Sequence, residues 1–479
     1  MLQKIYIYFV HTALSLGIIF RDIINVTTHQ GGQIMEHTIF DTKCGPIAGV
    51  DCGDYTKFLG VRYATADRFA YANPVTGWEG TYDATHHGNV CIQKRVWYAH
   101  LEIPERHFYH KEFREGQVFN YSEDCLNLNI YTPKKAGCYP VVVFIHGGGF
   151  DSGSNYDSAI DGAELSKRGV VAVSINYRVG VFGYFTNEAI QKKYHHDGNF
   201  GLDDQYTALT WIKDNIADYY GDANNITVMG QSAGAISIQY LCLNEKCKSL
   251  FSHAIMMSGA GLFPSFALPK PAANTHEYWL DVMNTAGATT FEEFQQLDAK
   301  KIFDALEEVK ARRKDNTYNT MPVIDGYHIT KPIGELMEQP LPVDYMIGYT
   351  NNDMFAFLMA KIAHKYAKHT PSYLYYFDVD APGDDDNAAF HSADIRYVFG
   401  TLQNSHRPYT EADEAVSNMM MDYIVQFAKT GNPNKSGLPK WEQSKSKALH
   451  IVRDVNQIKM SKPGNFKLLH NMLTKGDPK

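Results

Sequence analysis

The sequence predicts an α/β fold, a central, mostly parallel sheet with helices on both faces. Residues 141–145 (Val-Val-Val-Phe-Ile), 170–175 and 226–229 are short, nearly continuous apolar runs, as in strands buried on both faces. Between the last two, residues 202–219 carry Leu209, Ile212 and Ile216 at helical spacing. Strands alternating with helices imply right-handed βαβ units and a sheet covered on both sides.

Taken in order, residues 38–40, a Gly45-Pro46 turn and residues 55–61 read as a hairpin, and residues 129–131 as a further strand. The strand at 226–229 runs into Gly230-Gln231-Ser232-Ala233-Gly234, after which residues 233–243 read as a helix. Residues 265–320, richer in Glu, Lys and Ala, read as a helical cap beside the sheet. Residues 345–349 and 373–379 are strand-like, and each enters a polar loop. Open α/β sheets bind ligands beyond the carboxyl ends of their strands.

Composition excludes several classes. The apolar fraction of 44% and charged fraction of 20% are those of an ordinary globular protein. A net charge of −8 without a Lys/Arg block argues against a nucleic-acid partner. Seven cysteines leave at least one thiol unpaired; Cys44 and Cys52 read as facing across the hairpin, and Cys242 and Cys247 lie close in sequence. No C-x-x-C pair exists, and His86-His87 and His195-His196 lack a matching cluster, so no metal site and no cofactor are expected. The run Asp384-Asp385-Asp386 reads as a solvated turn.

Residues 5–20 are apolar but interrupted by His11, Thr12 and Ser15, short for a membrane span and without a clear signal-peptidase site. The codons for residues 30–34 can spell a purine-rich ribosome-binding sequence ahead of Met35. Residues 1–34 are therefore read as a leader, and residues 35–479 as one domain. A start at Met35 implies a cytoplasmic protein; a signal peptide over residues 1–34 implies secretion.

A strand, a Gly-x-Ser-x-Gly turn and a helix make a nucleophile elbow, which holds the Ser232 hydroxyl out at the sheet top. A serine hydroxyl is a weak nucleophile and needs a base, an orienting acid and oxyanion donors. Gly148 and Gly149, in His146-Gly147-Gly148-Gly149-Phe150 after a buried strand, offer backbone N–H groups, joined by that of Ala233. His391 follows the 373–379 strand and is the expected base; His364, His369 and His406 fit less well. The acid is expected between Ser232 and His391 in sequence. Asp353 follows the 345–349 strand, with Asp325, Asp344 and Asp378 as competitors.

With these residues assembled, the chain resembles the type B carboxylesterase family, which includes cholinesterases and bacterial para-nitrobenzyl esterases. Glu123-Asp124-Cys125-Leu126-Asn127-Leu128-Asn129-Ile130, Asn176-Tyr177-Arg178-Val179-Gly180 and Gly198-Asn199-Phe200-Gly201-Leu202-Asp203-Asp204-Gln205 are similar to family blocks. The resemblance implies an α/β-hydrolase fold and carboxylic ester hydrolysis through Ser232, Asp353 and His391, with Gly148, Gly149 and Ala233 as the oxyanion hole. It also implies a Cys91–Cys125 pair, oxidised in secreted relatives. Departures bear on substrate. Gln231 replaces the usual Glu, and Glu115 stands where cholinesterases carry a choline-stacking Trp. Arg62 replaces a Pro, and only 38 residues separate Asp353 from His391, so a segment of larger members is missing. Small to medium uncharged esters are expected as substrates, with no stable membrane span. An amidase, lactonase or polysaccharide-ester esterase, and a non-catalytic binding member of the fold, are the alternatives.

Overall fold

The computed structural model describes residues 25–30, 33–98, 107–259, 268–313, 319–338, 340–353, 356–383, 387–444 and 447–463. The apolar 5–20 segment and the Asp384–Asp386 run lie outside the described residues. Thirteen strands matter for the site: β1 (Asn25–Gln30), β2 (Gln33–Thr42), β3 (Gly45–Asp51), β4 (Tyr55–Arg62), β5 (Asn127–Pro133), β6 (Tyr139–Ile145), β7 (Val171–Ile175), β8 (Gly221–Gln231), β9 (His253–Met257), β10 (Asp344–Thr350), β11 (Ser372–Phe377), β12 (Ala448–Ile451) and β13 (Lys459–Ser461). They lie in one sheet in the order β1-β2-β3-β4-β5-β7-β6-β8-β9-β10-β11-β12-β13. Strands β7 through β12 in that order pair in parallel, while both flanks pair antiparallel.

Strand β6 shows why this sheet is covered on both sides. Val141, Val143 and Ile145 enter one core cluster, while Val142 and Phe144 enter the other. Side chains alternate across a strand, so a continuous apolar run feeds both faces. Helices α1 (His107–Phe113), α2 (Phe200–Asn215), α3 (Ala233–Leu241), α4 (His276–Thr285), α5 (Phe291–Gln296), α6 (Ala299–Arg313), α7 (Ile395–Phe399) and α8 (Glu411–Thr430) complete the frame. Leu209, Ile212 and Ile236 of α2 and α3 fill the first cluster; Val416, Met420 and Phe427 of α8 fill the second. The expected cap is α4 to α6, which packs Trp279, Phe294 and Phe303 on Phe182 and Phe185 as a third cluster.

The hairpin reading of the first strands needs correction. Gly45 opens strand β3, and the reversal sits at Lys43-Cys44. Three antiparallel strands therefore stand where two were expected. Cys44 and Cys52 lie at opposite ends of β3 rather than facing each other: Cys44 donates to Asn215 Oδ1 and Cys52 to the Val50 carbonyl.

The chain leaves β6, forms β7 on one side, and returns to form β8 on the other side of β6. That reversal opens a crevice at the carboxyl ends of β6 and β8. Ile145 pairs with Gly230 across it, so the loops after both strands emerge side by side.

Candidate active site

Ser232 stands between β8 and α3 with φ 56 and ψ −122, a conformation L-residues avoid. Its N–H donates to the Met257 carbonyl of β9 (2.8 Å), which fixes the turn to the neighbouring strand. The flanking glycines are required by space. A Cβ on Gly230 would meet the Gly234 backbone at 2.8 Å, and one on Gly234 would collide with the Ile145 carbonyl. The turn is thus pressed onto the end of β6.

After β6, the chain curls through Gly148 (φ 111), Gly149 (φ 65) and Phe150 (φ 63). The Asp151 and Ser152 N–H groups both donate to the Gly148 carbonyl, which makes a tight loop. This loop lies against the elbow: a Cβ on Gly147 would stand 2.9 Å from Ser232 Cβ. Ala233 is the first residue of α3, so its N–H has no acceptor within the helix. His146 anchors the loop. Its ring stacks on Tyr177 at 4.4 Å, whose hydroxyl donates to the His146 carbonyl. Burial pushes the His146 imidazole down to about 4, so it packs as a neutral ring.

His391 Nδ1 lies 3.2 Å from Asp353 Oδ1, and the Asp353 side chain is fully buried. Asn352 binds the two segments, its N–H donating to the Ala389 carbonyl (3.0 Å). The competing acids are engaged elsewhere. Asp325 accepts the N–H groups of Tyr327, His328 and Ile329 as a turn cap. Asp344 pairs with His253 at the opposite end of β10, and Asp378 with His450. His364, His369 and His406 are exposed.

Two contacts were invisible in the sequence. The Gln231 side-chain nitrogen lies 3.2 Å from His391 Nε2. An amide N–H donates, so a hydrogen bond here takes Nε2 as acceptor and goes with the ring proton on Nδ1, the nitrogen 3.2 Å from Asp353 Oδ1. That is the tautomer a general base requires. Gln231 stood out in the sequence for its missing charge, whereas its donor is what reaches the imidazole.

The second is Asp394, fully buried and accepting the Tyr375 hydroxyl at 2.7 Å. Burial, reinforced by the nearby Asp353 charge, pushes its carboxyl up to about 6 from 3.8, against the opposing pull of Tyr375 and His391. A folded carboxyl that keeps its proton to higher pH contributes stability below the unfolded pKa and loses it as pH rises through about 6. Asp394→Asn removes that loss. Its stability relative to the parent is expected to improve by about 3 kcal/mol between roughly pH 4 and pH 7.5, measured by urea unfolding. Parallel pH dependences for the two proteins would contradict this.

The family-like blocks meet here for a structural reason. Arg178 of one block donates from Nε (2.8 Å) and Nη2 (2.7 Å) to the buried Asp204 carboxylate of another. Glu123 pairs with Arg68, and Asp124 with Arg62. The Cys91 and Cys125 thiols are buried neighbours, and all seven cysteines are unpaired. Glu115 is exposed just after α1. Among the described residues no group of three metal-ligating side chains is found, and no helix is long and apolar enough to cross a membrane.

Comparison with known proteins gives a family and a fold. The carboxylesterase family pattern matches residues 36–363 and 354–465. The para-nitrobenzyl esterase of Bacillus subtilis is 27% identical over 469 residues, covering 84% of this chain and 91% of that protein. Carboxylesterase 4A of Bos taurus is 28% identical over 534 residues, covering 90% and 94%. Among solved structures, a thermophilic PNB esterase superposes with a TM-score of 0.77 at 24% identity, over 88% of this chain and 97% of that one, which shows the shared fold.

Proposed function

The chain belongs to the carboxylesterase family and is a carboxylic ester hydrolase, and on that premise we propose that it works through Ser232, His391 and Asp353 by way of an acyl-enzyme. The observation that carries the reading is the convergence of three strand ends. The strained Ser232 elbow follows β8, and the Asp353–His391 pair at 3.2 Å joins the loops after β10 and β11.

His391 Nε2 takes the Ser232 proton as Oγ attacks the ester carbonyl. Backbone N–H groups of Gly148, Gly149 and Ala233 stabilise the tetrahedral oxyanion; losing one such donor costs about 3–4 kcal/mol. The imidazolium then protonates the departing alcohol oxygen and leaves an ester on Ser232. Water gives a proton to His391 and attacks that acyl group, and the acid departs as Ser232 regains its proton. Asp353 holds the imidazole and stabilises its cation.

The substrates are small to medium uncharged esters. The neutral, buried Gln231 beside the base supports this, since it offers no anionic charge to a cationic alcohol group. A panel of p-nitrophenyl acyl esters, aromatic esters, a choline ester, an anilide and a lactone tests it. Neutral open-chain esters are expected to lead in kcat/KM, and preference for the choline ester, the anilide or the lactone would overturn it.

A further inference from the structure

The base sits in a loop that the backbone alone does not favour. Ala388 (φ 52) and Ser392 (φ 86) bracket His391, and both are left-handed without being glycine. Such conformations persist only where the surroundings over-determine them. On the inner side the loop is tied to β10's exit by Asn352 and to the Ala381 N–H, which donates to the Ala388 carbonyl at 3.0 Å. On the outer side it meets helix α1.

The Tyr109 hydroxyl donates to the His391 carbonyl at 2.9 Å across 282 residues of sequence. The neighbouring Phe390 ring is buried against Phe108 (5.2 Å), Tyr109 (5.9 Å) and Phe113 (6.4 Å). One turn beyond Tyr109, Glu112 fixes the helix to the chain that follows the base. Its carboxylate accepts Arg396 Nε and Arg407 Nε, both at 2.6 Å, and the Ser405 hydroxyl at 3.0 Å. Burial would raise the Glu112 carboxyl, but the two guanidiniums outweigh it and hold the group below its usual range. Tyr109, Glu112, Arg396 and His391 thus form a closed ring, in which α1 grips the loop at its apex and five residues further on.

We propose that Tyr109 is a positioning residue for the base: its hydroxyl, carried on α1, holds the His391 carbonyl so that the strained loop keeps the imidazole directed at Ser232. Its hydroxyl bonds to the His391 main chain, not to the imidazole. It acts by limiting where the His391 main chain can go, and small displacements of a base cost rate rather than binding. The inference rests on His391 being the base.

The test is Tyr109→Phe, which keeps the ring contacts and removes one hydrogen bond. With p-nitrophenyl acetate, kcat is expected to fall about five- to ten-fold, the worth of roughly one hydrogen bond, with KM changed less than about two-fold. Thermal unfolding is expected within about 2 °C of the parent. Ser392→Gly, which makes the left-handed turn cheap, is expected to restore the Tyr109→Phe enzyme to within about two-fold of Ser392→Gly alone, a non-additive pair. An unchanged kcat, a loss confined to KM, or losses that multiply in the double variant would each overturn the proposal. His391→Ala, measured alongside, tests the underlying reading separately: substantial activity in that variant would remove the base itself, whatever Tyr109→Phe does.

Discussion

Ser232→Ala is expected to lower kcat for p-nitrophenyl acetate by about six orders of magnitude and to abolish labelling by a fluorophosphonate probe. The magnitude follows from the proposed role of Ser232 Oγ in forming the acyl bond; what survives would come from the proposed oxyanion donors and binding alone. The variant is a clean test because alanine keeps a Cβ at the same strained φ of 56, so the backbone cost is unchanged and the fold is retained. The Ser232 N–H bond to Met257 and the close packing of Gly230 and Gly234 are main-chain features, and they persist. Retained labelling, or activity within about a hundredfold of the parent, would place the nucleophile elsewhere.

Asp353→Asn is expected to reduce kcat by about four orders of magnitude, again with little change in fold. An asparagine amide can present its N–H toward His391 Nδ1 and favour the tautomer with the proton on Nε2, where it cannot accept from Ser232. Gln231 directs its own N–H at Nε2, so the variant sets two donors against one neutral imidazole. The buried position of Asp353 leaves no solvent to relieve that conflict. Asp394→Asn is the control, since it removes the second buried carboxylate near the same histidine. Near-normal rates for Asp353→Asn with collapse in Asp394→Asn would reverse the two assignments.

Much of the frame was legible because its physics is local. A run such as Val141 to Ile145 announces a strand packed on both faces, and Gly-x-Ser-x-Gly between strand and helix announces the elbow. Strands β9 and β12 carry no such signal. The first is a short Met-rich run, and the second has four residues between polar stretches, so neither carries a period long enough to recognise. Strand β3 is hidden because Gly45-Pro46 looks like a turn, although Pro46 stands within the first two residues of the strand, where proline is tolerated. In the site, Asp353 and His391 were named from their places after strands, and the structure brings those two side chains together. Tyr109 and Gln231 carried no such signal. Their importance lies in contacts with a loop 282 and 160 residues away, and no local pattern encodes such distances.

The exchange of sides around β6 has a consequence for how the protein is made. The loop after β6 meets the elbow after β8 only once two parallel strands have paired across the intervening β7 and α2, and parallel pairing cannot nucleate from a tight turn. Contacts of such long sequence separation form slowly, because chain entropy is lost before they can repay it. The antiparallel β2-β3-β4 meander has no such delay. During refolding, hairpin signals are therefore expected to precede esterase activity, whose return needs long-range parallel pairs such as β6–β8 and β9–β10 to have closed.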